Sequence, residues 1–170
     1  DLTEERSRSR QVARFHTPMG LREYLACERA KALEWLRGHP NDNPDLYPFQ
    51  RQAIDAVELS LRAGKRRMLI AMATGTGKTV LSVALVYRLL KSGLARRVLF
   101  LVDRRALAAQ AVGRFSTFET QPGLKFDREY EVYSQRFRRE DMPDEVKFDP
   151  KVMPKEYLVN PQLHHTFVYL

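Results

Sequence analysis

Cysteine is all but missing. Cys27 stands alone among 170 residues, so no internal disulfide can form and an intracellular, reducing, cytoplasmic location is expected. Together with only four scattered histidines it gives no zinc-ligand spacing. Long apolar runs are absent as well. None approaches the roughly 18 residues that cross a bilayer, so no membrane partner is expected. The opening Asp-Leu-Thr-Glu-Glu-Arg has no apolar core and does not read as a signal peptide. It also lacks an initiator Met, so a piece of a longer protein is expected. No internal repeat is visible.

What is present suits a folded domain. Hydrophobic residues make up 44%, enough for a core and too many for a disordered chain. Lys and Arg number 29 against 21 Asp and Glu, a formal charge of +8. That excess suits a polyanionic partner such as nucleic acid, nucleotide phosphates or an acidic surface, and it equally serves plain solubility.

Along the chain, residues 1–45 read as a polar arm and a helical linker. Arg6, Arg8 and Arg10 alternate with serines in a polar arm over 1–14. Thr17-Pro18 then reads as an N-cap with Pro at the first helical position. Leu21, Tyr24, Leu25, Leu33 and Leu36 approximate one helical face up to Gly38. The cluster His39-Pro-Asn-Asp-Asn-Pro44 breaks the pattern. A second helix is expected from about Pro48 to Ala63, striped by Ile54, Val57 and Leu61 and closed by Gly64.

Met68 to Met72 is a short continuous apolar run, expected as a strand buried on both faces. Lys78 to Lys91 reads as a helix closed by Gly93, Val98 to Val102 as a second buried strand, and Arg104 to Phe115 as another helix. Strand, helix, strand, helix predicts a parallel sheet with right-handed crossovers. Tyr130 to Tyr133 and His165 to Leu170 are candidate strands. Between them, about 138–163, Pro143, Pro150, Pro154 and Pro161 predict an irregular insertion.

The chemistry concentrates in Thr74-Gly75-Thr76-Gly77-Lys78-Thr79, placed between expected strand and helix. Backbone N–H groups can surround a phosphate chain only where no Cβ intrudes and unusual dihedrals are open, which Gly75 and Gly77 supply. The following helix aims its unpaired N–H groups and positive dipole end at the same point. Lys78 is a mobile charge able to reach the β and γ phosphates, and Thr79 puts a hydroxyl on Mg²⁺. The usual pattern G-x-x-x-x-G-K-[ST] has glycine where this chain has Met72, which argues against a small GTPase or nucleotide kinase.

Met72-Ala-Thr-Gly-Thr-Gly-Lys-Thr79 resembles the phosphate loop of superfamily 2 helicases and translocases, whose first position need not be glycine. Leu46-Tyr-Pro-Phe-Gln50-Arg-Gln-Ala-Ile54 resembles the upstream L-x-P-Y-Q-x-x-A-I element of that superfamily. The resemblance implies that Gln50 reads an adenine edge, because an amide offers donor and acceptor together. Val98-Leu-Phe-Leu-Val-Asp-Arg-Arg-Ala-Leu-Ala-Ala-Gln110 resembles the motif that follows the second strand and contacts DNA backbone. Within the superfamily the wording most resembles the motor (R) subunit of type I restriction enzymes, through Arg66 to Thr79, Arg96 to Arg104, Val132 to Asp141 and His165 to Tyr169.

That resemblance covers about residues 15–170. It implies the N-terminal part of a first RecA-like P-loop motor domain over 46–170. It also implies ATP and Mg²⁺ as cofactors, Lys78 as the catalytic cation, and double-stranded DNA with methylation and specificity subunits as partners. A D-E-x-H box, a second-lobe arginine finger and a nuclease carboxylate cluster belong to the same picture and do not occur in these 170 residues. The chain is therefore expected to hold half of a catalytic site and not to hydrolyse ATP by itself. A non-catalytic nucleotide- or DNA-binding module, and a helicase of another restriction or repair system, are the rival readings.

Other residues sort by position. Arg104 and Arg105 follow a strand and so share the binding edge of a parallel sheet, which makes them the DNA-phosphate candidates. Arg66, Arg67, Arg96 and Arg97 precede strands and lie at the opposite end. Asp103 fits a helix cap better than a Mg²⁺ ligand, because Arg104 stands where an acidic box wants Glu. Arg136, Arg138 and Arg139 read as a solvated loop. His164 and His165 point to opposite faces and do not make a metal pair. Trp35 reads as packing. Tyr47 and Phe49 suit either stacking on adenine or packing at the turn.

Overall fold

Helices and a parallel sheet alternate as the periodicity predicts. A computed structural model of the chain describes residues 18–134, 151–152 and 167–170. The arm over 1–14, Thr17, Arg136, Arg138, Arg139 and the His164–His165 pair lie outside the described residues.

Helix α1 (Pro18–Gly38) ends at the Pro-Asn breaker cluster, and α2 (Pro48–Arg62) follows it. Pro48 opens α2 at the position where its missing N–H costs nothing, and Gly64 closes it at φ 77°. Ile54 and Val57 are buried as expected, and Gln50 and Glu58 are buried on the same face. Helix α3 (Lys78–Lys91) spans the expected residues and buries Leu81, Val83, Ala84, Val86 and Leu90. Next come β1 (Arg97–Leu99), α4 (Arg105–Thr117) and a hairpin of β2 (Glu119–Gln121) and β3 (Leu124–Lys125). Then follow α5 (Phe126–Glu129), β4 (Glu131–Ser134), β5 (Lys151–Val152) and β6 (Phe167–Tyr169).

Four strands form one sheet in the order β1-β6-β4-β5, and every pairing is parallel. This is a mixed α/β fold of the RecA-like kind. The last strand in sequence, β6, lies in the middle, with Val168 opposite both Val98 and Val132. Beneath the sheet, Phe115 and Phe126 are fully buried with ring centroids 5.1 Å apart, and Phe100 meets Phe115 edge-on at 5.7 Å. Within the stretch expected to be irregular, Lys151 and Val152 pair with Tyr133 and Ser134.

Two expectations need correction. Met68 to Met72 forms no sheet pairing among the described residues, and it is not buried on both faces. Ile70 and Met72 pack against the core while Leu69 is 92% exposed. Val98 to Val102 behaves alike: Val98 and Phe100 pack inward, whereas Leu99 and Leu101 are exposed. The cause is the same in both. In each run alternate side chains join the core cluster, to which α2, α3 and α4 contribute, and those between them are left exposed. A continuous apolar run announces two buried faces, but burial needs a layer on each.

Candidate phosphate-binding site

The loop between Met72 and Lys78 is built by two glycines held in left-handed backbone. Gly75 has φ 81° and Gly77 φ 78°, a region that other residues enter at a cost of about 1–2 kcal/mol. Gly77 is also the N-cap of α3, without a capping side chain. A helix left uncapped in this way presents its first N–H groups, and the positive end of its dipole, to whatever anion lies in front. A Cβ on Gly75 would meet no atom within 4 Å, so the mouth of the loop is open there.

Lys78 folds across the loop. Its Nζ donates to the carbonyls of Met72 at 3.2 Å and Ala73 at 2.7 Å. The Thr76 hydroxyl donates to the Ala73 carbonyl at 2.7 Å. The ammonium is exposed and bound only to backbone oxygens here, so a phosphate oxygen can replace them as its partner. Thr74 and Gly75 are exposed at the tip, and Thr79 is half-buried in the first turn of α3. Thr74 to Thr79 form one continuous turn into α3, and Gln50 reaches its Thr76 and Gly77 carbonyls from α2.

This arrangement fits a nucleotide triphosphate: bare amides, a helix N-terminus and one mobile cation surround an open mouth. For Mg²⁺ the chain offers the Thr79 hydroxyl. Among the described residues no group of three or more His, Cys, Asp or Glu side chains is placed to hold a metal. A Mg²⁺ held mainly by phosphate oxygens and water needs no such cluster.

Gln50 is not at the mouth of the loop. It is 1% exposed, and its amide is spent on backbone: Oε1 accepts from the Tyr47 N–H, and Nε2 donates to the carbonyls of Thr76 and Gly77. Tyr47 and Phe49 stay exposed beside it and stack on each other, centroids 5.7 Å apart and nearly parallel at 8°.

Arg104 and Arg105 are exposed beyond the C-terminal end of β1. They line a pocket of about 150 Å³ with Leu101, Tyr169 and Leu170. The expected cap by Asp103 does not form. The N-cap of α4 is Arg104, so Asp103 lies one residue too early for its carboxylate to reach the helix N–H groups. Asp103 instead faces Arg104 at 4.0 Å, both largely in solvent.

Sequence reasoning missed the buried pair Glu58–Arg88. Two hydrogen bonds join them, at 2.5 and 3.1 Å, and Arg88 also donates to the carbonyls of His39 and, more loosely, Leu36 and Pro40. Its guanidinium lies 5.9 Å from the Trp35 ring, which stacks on His39. One side chain of α3 thereby fastens the end of α1. The signal was available: Glu58 falls four residues after Ile54 on the apolar stripe of α2, and Arg88 four after Ala84 on the buried face of α3.

The family model described as "Type III restriction enzyme, res subunit" matches residues 43–153. The EcoKI type I restriction enzyme endonuclease subunit of Escherichia coli (strain K12) is 40% identical over 116 residues, 68% of this chain and 10% of that protein. The corresponding EcoAI subunit of Escherichia coli is 35% identical over 102 residues, 57% of this chain and 13% of its own length. The putative ATP-dependent helicase IRC3 of Saccharomyces cerevisiae (strain ATCC 204508 / S288c) is 41% identical over 73 residues, 40% of this chain and 11% of that protein. The chain therefore covers no more than 13% of the length of these relatives. No solved structure matches it. The match spans well over half of the residues and includes the whole turn from Thr74 to Thr79, and the chain belongs to the restriction-enzyme res-subunit family, with its helicase-type domain.

Proposed function

We propose that this chain is the front part of the first RecA-like lobe of an ATP-dependent motor that moves double-stranded DNA in a type I restriction endonuclease R subunit. The observation that carries it is the loop from Thr74 to Thr79, with two left-handed glycines, an uncapped helix behind it and the Lys78 ammonium across its mouth. The relatives named as type I endonuclease subunits support the system. In this reading the loop amides and Lys78 hold the β and γ phosphates of ATP, and Lys78 offsets charge that builds up as the γ-phosphoryl group leaves. Thr79 holds Mg²⁺, which when bound neutralises phosphate charge. Arg104 and Arg105 contact DNA phosphates. Methylation and specificity subunits are the protein partners, and the location is cytoplasmic. Among the described residues no helix is long and apolar enough to cross a membrane.

The test is Lys78→Ala in the full-length natural protein. Nucleotide binding or hydrolysis is expected to be abolished, and wild-type activity in that variant removes Lys78 from the mechanism. A second reading, a helicase of another restriction or repair system, draws on the yeast relative. A D-E-x-[HD] box downstream in the natural sequence supports a motor of either kind; without one, a non-catalytic nucleotide- or DNA-binding module is favoured.

A further inference from the structure

At the far end of α3 from the Thr74–Thr79 turn, the C-terminal ends of three helices converge on one cleft of about 700 Å³. Its walls are the residues that follow α1, the last two turns of α3 and the residues that follow α4. A cavity of this size takes a ligand or a short stretch of polypeptide. Helix C-termini carry partial negative charge, so three of them draw cations into the space between. Two cations are already spent there. Arg88 donates to the His39 carbonyl and is neutralised by Glu58, and Lys91 is held by Glu129 at 2.6 Å.

The carboxylates on the rim are not spent. Asp42, Asp45 and Glu119 are exposed, and none of them has an ion pair among the described residues. The two sides of the mouth stand close, with Asn43 Nδ2 loosely reaching the Glu119 carbonyl at 3.5 Å. Tyr87 and Phe118 give the cleft an aromatic wall, ring centroids 6.5 Å apart. A further observation is independent of charge. The side-chain nitrogen of Asn41, another residue of the lining, is buried without a hydrogen-bond partner. A buried donor left unpaired is costly, so it asks for an acceptor.

The two demands differ in sign: the rim asks for a cation, and Asn41 asks for an acceptor oxygen. A peptide carrying arginine offers both. Its backbone carbonyls accept from an amide N–H, and its guanidinium forks onto a carboxylate and lies against an aromatic ring. Lysine supplies a point charge without the fork. Nucleic acid supplies acceptors, but its phosphates would face the rim carboxylates. We propose that this cleft is a docking site for an arginine-bearing peptide segment of a partner protein. The cleft shares no residue with the Thr74–Thr79 turn, so the site does not depend on the nucleotide reading.

The experiment uses the full-length natural protein and a fluorescein-labelled hexapeptide, Gly-Arg-Gly-Arg-Gly-Arg, read by fluorescence anisotropy. Its citrulline counterpart keeps the shape and loses the charge. The wild type should bind the arginine peptide about tenfold or more tightly than the citrulline one. Neutralising the rim together, Asp42→Asn with Asp45→Asn and Glu119→Gln, should remove that preference and leave Tm unchanged, since no ion pair is lost. Asn41→Asp adds a negative charge but deletes the donor. A built site should lose about tenfold in affinity through it, whereas a merely acidic surface would gain. Should Asn41→Asp fail to fold, Asn41→Ala replaces it with the same expected loss. The proposal is overturned if the rim variant binds like wild type, if the citrulline peptide binds as tightly as the arginine one, or if the Asn41 variant binds at least as tightly as wild type. It is also overturned if the wild type does not bind the arginine peptide, as when another part of its own polypeptide fills the cleft.

Discussion

Removing Arg88 should loosen the junction between α1 and α3 at a cost that the structure allows to be worked out. Glu58 and Arg88 have side chains only 4% and 8% exposed, so Arg88→Ala leaves a carboxylate buried without its cation. Losing one member of such a pair costs about 3–5 kcal/mol. The carbonyls of Leu36, His39 and Pro40 lose a donor as well, and the Trp35 ring loses its cation. For a chain of this size each kcal/mol lowers Tm by about 2–4 °C, so the variant should melt about 6–20 °C below wild type. Replacing both partners by apolar residues, Glu58→Leu with Arg88→Met, removes the stranded charge and should recover most of that loss. The assay is urea and thermal denaturation of the 170-residue chain as a double-mutant cycle, with limited proteolysis between residues 39 and 46 to report on the detached end of α1. A cost below about 1 kcal/mol for Arg88→Ala would refute the reasoning, as would single losses that simply add in the double variant.

Gly75→Ala should cost about 1–2 kcal/mol from backbone strain alone, since nothing lies near the added carbon. Gly77→Ala should cost more, because the new carbon displaces the Gln50 amide, and the excess should vanish in a Gln50→Ala background; denaturant midpoints of the four chains check it. Replacing Arg104 and Arg105 together by Ala in the full-length protein should lower the slope of log affinity for duplex DNA against log salt by about 2, and an unchanged slope removes them from the interface. Stability should also fall in alkali. Burial raises the Tyr87 and Tyr130 hydroxyls above their ordinary 10.0, and the Glu129 carboxylate, 2.6 Å away, raises Lys91 above its ordinary 10.5. Each group binds its proton more tightly when folded, so its contribution is intact below about pH 10 and is lost as pH climbs through the folded values. Urea midpoints at pH 8, 10 and 11 should be level and then drop.

Much of the site was legible because its chemistry is local. The spacing from Thr74 to Thr79 states which amides lack a Cβ, where a helix begins and where its cation sits, and α3 starts and stops at the expected residues. The same holds for Gly64 and Gly93, whose positive φ is the turn that closes a helix at its C-terminus. The position of Gln50 beside the loop was legible, but the backbone carbonyls its amide meets were not. A glutamine before an apolar stripe can face a ligand or a neighbouring backbone, and only the packing of α2 against the loop selects the latter.

The sequence by itself determined the elements whose cause lies within a few residues: the glycine turn, the proline-led helices, the apolar runs and the parallel alternation they imply. Tertiary structure alone decided which strands became neighbours. It set β6 in the middle of the sheet, left Leu69 and Leu101 exposed on runs that read as fully buried, and joined Glu58 to Arg88 across thirty positions. Local propensity acts along the chain, whereas pairing, burial and the desolvation of charge depend on what arrives from elsewhere, and no periodicity records the partner.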